Sequence, residues 1–263
     1  KMTFAMGPKS KMWEYKYKAQ DLNFPELPKI MPGESQPDSE RVSSFVYPGG
    51  ILAVHSEGRS KDDIWSALKN KNVYGTSGPR ILLWFDLLNS PDGKATMGSE
   101  ITMSQNPTFI VRAAGSFKQK EGCPSESIDS LSPKRLEYLC AGECYNPTND
   151  RHIIERIEVI KITPQSYIGE DIQPLIQDAW KTFSCEGLSE CVIEFKDEDY
   201  SRDSVYYVRA IQEPTPAING RSTLVSSKDF KLCKGSFRTD LTDDCLSDSS
   251  ERAWSSPIYL NKP

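Results

Sequence analysis

Beyond residue 80 the chain breaks into short apolar runs separated by turn-forming residues, at 81–88, 108–114, 153–163, 191–195, 205–211 and 257–260. Runs of this length and spacing predict an antiparallel β-sandwich, because each strand buries one face in a shared core and then turns back. Ser90-Pro91-Asp92-Gly93 is the clearest turn: proline presets the first corner, and aspartate and glycine tolerate the second. In 205–211 the alternation puts Val205, Tyr207 and Ile211 on one face and Tyr206, Val208 and Ala210 on the other. Two largely apolar faces predict a central or covered strand, with Arg209 at an edge or paired. No internal repeat is present, which argues against a solenoid or propeller.

Residues 49–81 follow a different rhythm. Ile51, Leu52, Ala53 and Val54 make a short apolar strand, Ser60 with Asp63 three residues on is a capping pair that opens a helix, and a second strand starts at Val73. This succession is the unit of α/β domains, in which parallel strands are buried by helices on both faces of the sheet. No further such unit follows. The segment is therefore expected to be the end of an α/β domain whose larger part lies elsewhere.

Three phrases, AVHSEGRSKDDIWSALKNKNVYGTSGPRILLWFDLLN, YYVRAIQEPTPAING and ERAWSSPIYL, carry a family resemblance. From residue 49 to residue 260 the chain resembles the C-terminal portion of domain-of-unknown-function family 3604, whose members resemble PHP (polymerase and histidinol phosphatase) metallohydrolases. The resemblance implies that the strand-helix-strand unit at 49–80 ends a PHP-like barrel; with the apolar runs and the cysteines, the expected chain is α+β, mainly β, with a β-sandwich at 81–263 and disulfide-stapled loops. It also implies a metal-dependent hydrolase of phosphate or related small esters, with divalent metal ions held by upstream His-x-His and Asp-x-His motifs. Neither motif occurs here. The metal ligands are thus expected in an upstream PHP-like barrel portion, with this chain closing the pocket and stabilising the barrel, inactive and metal-free when alone. Residues 1–48 resemble no family, and Pro8, Pro25, Pro28, Pro32, Pro37 and Pro48 predict an extended Pro-rich arm. A first residue of lysine suits a processed or excised polypeptide.

The net charge of −5 and pI near 5.3 provide no basic face for a polyanion, so nucleic acid is not an expected partner. No apolar run approaches the roughly 18 residues of a bilayer span, and no signal peptide opens the chain. The seven cysteines cluster, at 123, 140 and 144, at 185 and 191, and at 233 and 245. The last two pairs close short polar loops and read as disulfides, the first cluster leaves one member over, and the compartment implied is periplasmic or secreted. Cys-x3-Cys at 140 and 144, with only two histidines in the chain, is a poor zinc pattern.

His55 and Glu57 form His-x-Glu, a spacing shared with zinc deaminases, but their Pro-Cys-x-x-Cys partner is absent, and His55 is expected to be a hydrogen-bonded structural residue. His152 stands far along the chain. Strand-end loops are better candidates, because chemistry in α/β barrels gathers there. They hold Ser56, Glu57 and Arg59 after the first strand, and Tyr74, Thr76, Ser77 and Arg80 after the second. Arg59, Thr76 and Arg80 are the predicted substrate-facing groups, guanidinium and hydroxyl donors beside glycines that let backbone approach an oxyanion. A plain turn with a surface Arg80 is the competing reading. Trp65, Trp84, Trp180 and Trp254 are expected in the core rather than on a carbohydrate platform. Asp240, Asp243 and Asp244 lack EF-hand spacing, and neither a nucleophile elbow nor a phosphate loop is present. The second function, a non-catalytic secreted binding or assembly module, rests on an acidic, cysteine-rich sandwich with long inserts at 118–150 and 222–253.

Overall fold

The computed structural model describes residues 50–140, 144–218 and 246–263. Its larger sheet runs β1 (Ile51–Val54), β2 (Val73–Thr76), β13 (Leu246–Ser255), β12 (Ser204–Ile218), β14 (Ile258–Asn261) and β5 (Glu100–Thr102). The long β12 carries β9 (Ile154–Ile162) along its other edge, and β10 (Ile176–Ser184) pairs beyond β9. The smaller sheet is β11 (Glu190–Lys196), β6 (Thr108–Ala114), β3 (Leu82–Ser90) and β4 (Gly93–Thr96). A separate ribbon joins β7 (Phe117–Gln119) to β8 (Pro147–Arg151). All of these pairings are antiparallel except β14 with β5.

The period-two alternation decides which side chains meet. Leu83, Phe85 and Leu87 of β3, Phe109, Val111 and Ala113 of β6, and Phe195 of β11 share one buried cluster with Ile157 and Val159 of β9 and Tyr206, Val208 and Ala210 of β12. Two sheets therefore enclose one core, as the spacing of the apolar runs predicts. Phe109 lies at its middle, with ring centroids 5.3 Å from Phe85, 5.2 Å from Phe195 and 4.8 Å from Tyr206. Strand β12 is central, and Arg209 is paired with Glu158 and Asp178. The turn at 90–93 joins β3 to β4, and Gly93 takes φ of +104°, which only glycine adopts freely.

One buried group departs from this apolar pattern. Asp197, 1 % exposed, accepts from Lys161 Nζ at 2.5 Å and from Tyr206 Oη at 2.5 Å on one oxygen, and from the Asp199 amide at 3.0 Å on the other. Burial pushes its carboxyl up, but these donors outweigh burial and hold it below the ordinary carboxylate range. The Tyr206 hydroxyl is driven upward by burial and by the bond to Asp197, and the nearby Tyr200 hydroxyl is pushed up to about 12 by burial.

The strand-helix-strand segment forms where expected but not as a parallel unit. Helix α1 (Lys61–Lys69) begins with a complete capping box between Ser60 and Asp63. Strand β2 then returns antiparallel to β1, with Val54 opposite Val73, and its other edge pairs with β13. A crossover helix must lay an apolar stripe on the sheet, whereas Ile64 and Trp65 of α1 are exposed, Trp65 at 61 %. Among the described residues no barrel closes. Trp65 thereby also departs from the expected core position.

The insert at 118–150 is more regular than its composition predicts. It carries the β7–β8 ribbon and two short helices, α2 (Ser125–Ser130) and α3 (Pro133–Cys140), tied by a Cys123–Cys144 disulfide. That bridge removes Cys144 from any zinc site. Cys185 and Cys191 form the second disulfide, as their spacing predicts, and staple the end of β10 to β11 in the facing sheet. The arm at 1–48, the Cys233 and Cys245 pair, and Asp240, Asp243 and Asp244 lie outside the described residues. A thiol count under denaturing, non-reducing conditions should find at most three free thiols of seven. Six or seven would remove both bridges. Among the described residues no helix is long and apolar enough to cross a membrane.

Candidate functional site

Because β1 and β2 pair antiparallel, with Ile51 opposite Thr76 and Val54 opposite Val73, the loops that follow them lie at opposite ends of the hairpin, and at the end where β1 exits the His55 amide donates to the Asn72 carbonyl at 2.9 Å. His55 is held firmly. Its Nε2 lies 2.8 Å from the Leu83 carbonyl, and its ring packs 5.3 Å from Tyr74 and 5.8 Å from Trp84. A carbonyl only accepts, so Nε2 carries a proton and donates it there. Burial pushes the Tyr74 hydroxyl up, partly offset by a hydrogen bond from the Leu83 backbone. His55 is thus the hydrogen-bonded residue its position predicts.

Beside His55 is a cavity of about 200 Å³, lined by His55, Ser56, Glu57 and Asn72 on one side and by Asp63, Ser66, Ala67 and Asn70 of α1 on the other. A second, more open groove lies past the helix end, between Lys69–Asn72 and the 96–101 segment. Gly98 sits against that helix end, where a Cβ would come within 2.6 Å of the Asn70 and Lys71 carbonyls.

Arg59, Thr76 and Arg80 are placed differently from one another. Arg59 is exposed in the loop before α1. Thr76 is 4 % exposed on β2, and its Oγ1 accepts from the Gly78 amide at 3.2 Å. Arg80 is exposed, with its guanidinium 4.2 Å from the Tyr145 ring centre, so the β7–β8 insert fixes its direction. Ser77 is committed to β13: it donates to Glu251 and receives the Arg252 amide at 2.8 Å. The described contacts join none of Arg59, Thr76 and Arg80 to another. The antiparallel pairing separates them: Arg59 lies beyond the Val54 end of the hairpin, and Thr76 and Arg80 lie at its other end.

His152 belongs elsewhere. Its Nδ1 lies 2.9 Å from Glu213 Oε1, which also accepts from the Ile153 amide at 3.1 Å. Burial raises the Glu213 carboxyl, but these bonds prevail and hold it below its usual range. Among the described residues no three His, Cys, Asp or Glu side chains gather as a metal site. The donors present here therefore do not fit a resident divalent ion, and no step is assigned to one within this chain.

Sequence reasoning found the loop residues but missed Ser66, Asn70 and Asn72. The signal was available: Asp63, Ser66, Ala67 and Asn70 recur at helical spacing and form a polar stripe opposite Ile64 and Leu68.

Residues 10–120 match the model of a family described as a protein of unknown function (DUF3604). The match begins inside the arm that resembles no family by inspection, and it stops at 120, well short of residue 260. No curated protein and no solved structure matches the chain. The segment carrying β1, α1, β2 and all of the smaller sheet except β11 is thus the part that is similar to this family.

Proposed function

We propose that this chain is part of a PHP-like, metal-dependent hydrolase of phosphate or related small esters, and that it closes one side of the substrate pocket and stabilises the barrel. The divalent ions would sit on an upstream barrel portion and there polarise the ester and activate water. The reading is carried by one observation: β1 is hydrogen-bonded on one side only among the described residues, and beside it Ile51, Leu52, Ile64 and Trp65 are exposed. An open edge next to an outward apolar helix face suits docking onto further α/β structure, since either feature left uncovered favours association. In that complex the exposed Arg80 would stand at the rim as a donor to an ester oxyanion, with Arg59 at the far end of the hairpin and Thr76 buried behind it. The disulfides suit an oxidising, periplasmic or secreted setting.

The test uses the longer polypeptide that includes the upstream portion. Hydrogen exchange at Ile51–Val54 should slow relative to this chain alone, and Arg80→Ala should lower kcat/KM by about tenfold or more with little change in melting temperature. Unchanged exchange, or equal loss of activity and stability, would count against pocket closure.

A non-catalytic secreted binding or assembly module is the second reading. It is favoured by the loop before β10, where Tyr167 and Ile168 stand 66 % and 103 % exposed while Glu170 anchors the loop to Arg202. Absence of His-x-His and Asp-x-His motifs upstream would select it.

A further inference from the structure

Strand β11 leaves one edge of the smaller sheet open. It pairs only with β6 among the described residues, runs for 7 residues without a register shift, and contains neither proline nor glycine. Other sheet edges carry protection: β1, β4 and β5 are at most 4 residues long, and β10 is interrupted by a bulge between Gln177 and Lys181. Strand β11 has neither device.

The ladder with β6 fixes where its free groups point. The Gly115 amide donates to the Ser189 carbonyl at 2.9 Å and the Asp197 amide to the Pro107 carbonyl at 3.1 Å, so the odd-numbered residues between them bond to β6. Glu190, Val192, Glu194 and Lys196 therefore turn their N–H and C=O groups away from it. The ends of that outward row are used, since the Leu188 carbonyl accepts from the Ile154 amide at 3.0 Å and the Lys196 carbonyl from Lys181 Nζ at 2.8 Å. Its middle, from Glu190 to Glu194, has no backbone partner among the described residues. The side chains of these four residues are exposed, Val192 at 57 %.

A row of outward donors and acceptors is a template for another strand, and the charges select which one. Two copies of β11 paired antiparallel about a two-fold axis keep their inner and outer faces when that axis passes through a residue. The register that uses the whole strand is centred on Ile193. It sets Glu190 opposite Lys196 at both ends and Val192 opposite Glu194 through their outward groups, and Ile193, packed against the core, meets its own copy. Moving the centre by one residue sets Glu190 against Glu194, or Glu194 against its own copy, and like charges directly opposite repel. Within one chain Lys196 reaches Glu198 at 2.9 Å and Glu190 reaches Arg112 at 3.5 Å, exposed contacts that exchange at little cost.

We propose that β11 pairs with the β11 of a second copy of this chain, antiparallel about Ile193, so that two smaller sheets become one continuous sheet. The surface lies in the smaller sheet, apart from the β1 edge, so the dimer and the pocket closure stand or fall separately.

Sedimentation velocity on the full chain under oxidising conditions tests it. At ~100 μM the wild-type chain should sediment as a dimer. Glu190→Lys and Lys196→Glu should each weaken association by about tenfold or more, because each sets like charges opposite one another at both ends. An equimolar mixture of these two variants should recover the dimer, since every introduced charge then faces its opposite. Val192→Pro should abolish association and keep the melting transition, because proline removes only an outward N–H. A wild-type chain that stays monomeric at this concentration would overturn the proposal. So would a dimer that survives Val192→Pro, or charge variants that fail to recover on mixing.

Discussion

Replacing Asp197 by alanine is expected to lower the unfolding free energy by about 3–5 kcal/mol, because it leaves the Lys161 ammonium buried with no counter-charge. Lys161 is 8 % exposed and Asp197 1 %, so water cannot take over the lost contact. Two further donors, Tyr206 Oη and the Asp199 amide, lose their acceptor at the same time. Denaturant unfolding under oxidising conditions measures the loss. A triple variant, Lys161→Met with Asp197→Leu and Tyr206→Phe, should recover most of it, since an apolar replacement of a whole buried polar cluster is often neutral. If Asp197→Ala costs less than about 1 kcal/mol, the pair is behaving as a solvated one and the buried cluster is not what holds these strands. The pH dependence has a definite sign. The Asp197 carboxyl is depressed in the fold, so its contribution is complete above the unfolded carboxylate value of about 4 and is lost as pH falls through the folded value. The Tyr200 and Tyr206 hydroxyls are raised, so their contribution is complete below about 10 and is lost as pH climbs past it. Stability should be flat between these limits and fall on both sides.

Phe109→Ala should cost a similar 3–5 kcal/mol, the range for removing a buried aromatic ring from a core that cannot collapse into the space. Phe109 is fully buried on β6 and touches rings from its own sheet, Phe85 and Phe195, and one from the facing sheet, Tyr206. Closing the void would require the two sheets to approach, which their other side chains prevent. The effect should be coupled to that of Asp197. Tyr206 presents its ring to Phe109 and its hydroxyl to Asp197, so loss of the ring contact frees the phenol that helps to hold the carboxylate. The double variant should therefore be less destabilised than the sum of the singles by about 0.5–3 kcal/mol. Simple additivity would show that the two groups act on separate parts of the core.

Much of the sandwich is legible because burial on one face leaves a period-two trace. The runs at 108–114, 153–163 and 191–195 coincide with β6, β9 and β11 to within a residue or so. Strands β10 and β13 leave no such trace. Ile176, Asp178 and Ala179 of β10 are exposed at the sheet edge, and β13 reads as the polar Ser-Asp-Ser-Ser-Glu-Arg before Ala253 and Trp254. Each is a strand because a neighbour supplies a ladder, in β13 both β12 and β2, and the neighbour is remote in sequence. At the candidate site the loops and the cap at Ser60 were visible, since capping and turns are set by adjacent residues. The cavity was not, because which loop lies beside the helix depends on how the β1–β2 hairpin pairs.

By itself the sequence determined where most of the core strands, the turn at 90–93 and the start of α1 lie, and that Cys185 and Cys191 sit close enough to bond. These follow from local spacing and the burial of side chains on alternate sides. Only the tertiary structure decided that β2 runs antiparallel to β1, that Lys161, Asp197 and Tyr206 meet, and that Arg209 pairs with Glu158 and Asp178. Strand direction and long-range contact depend on which backbone edges and side chains pair across separate segments of the chain, and the free energy of that pairing is not written in any one of them.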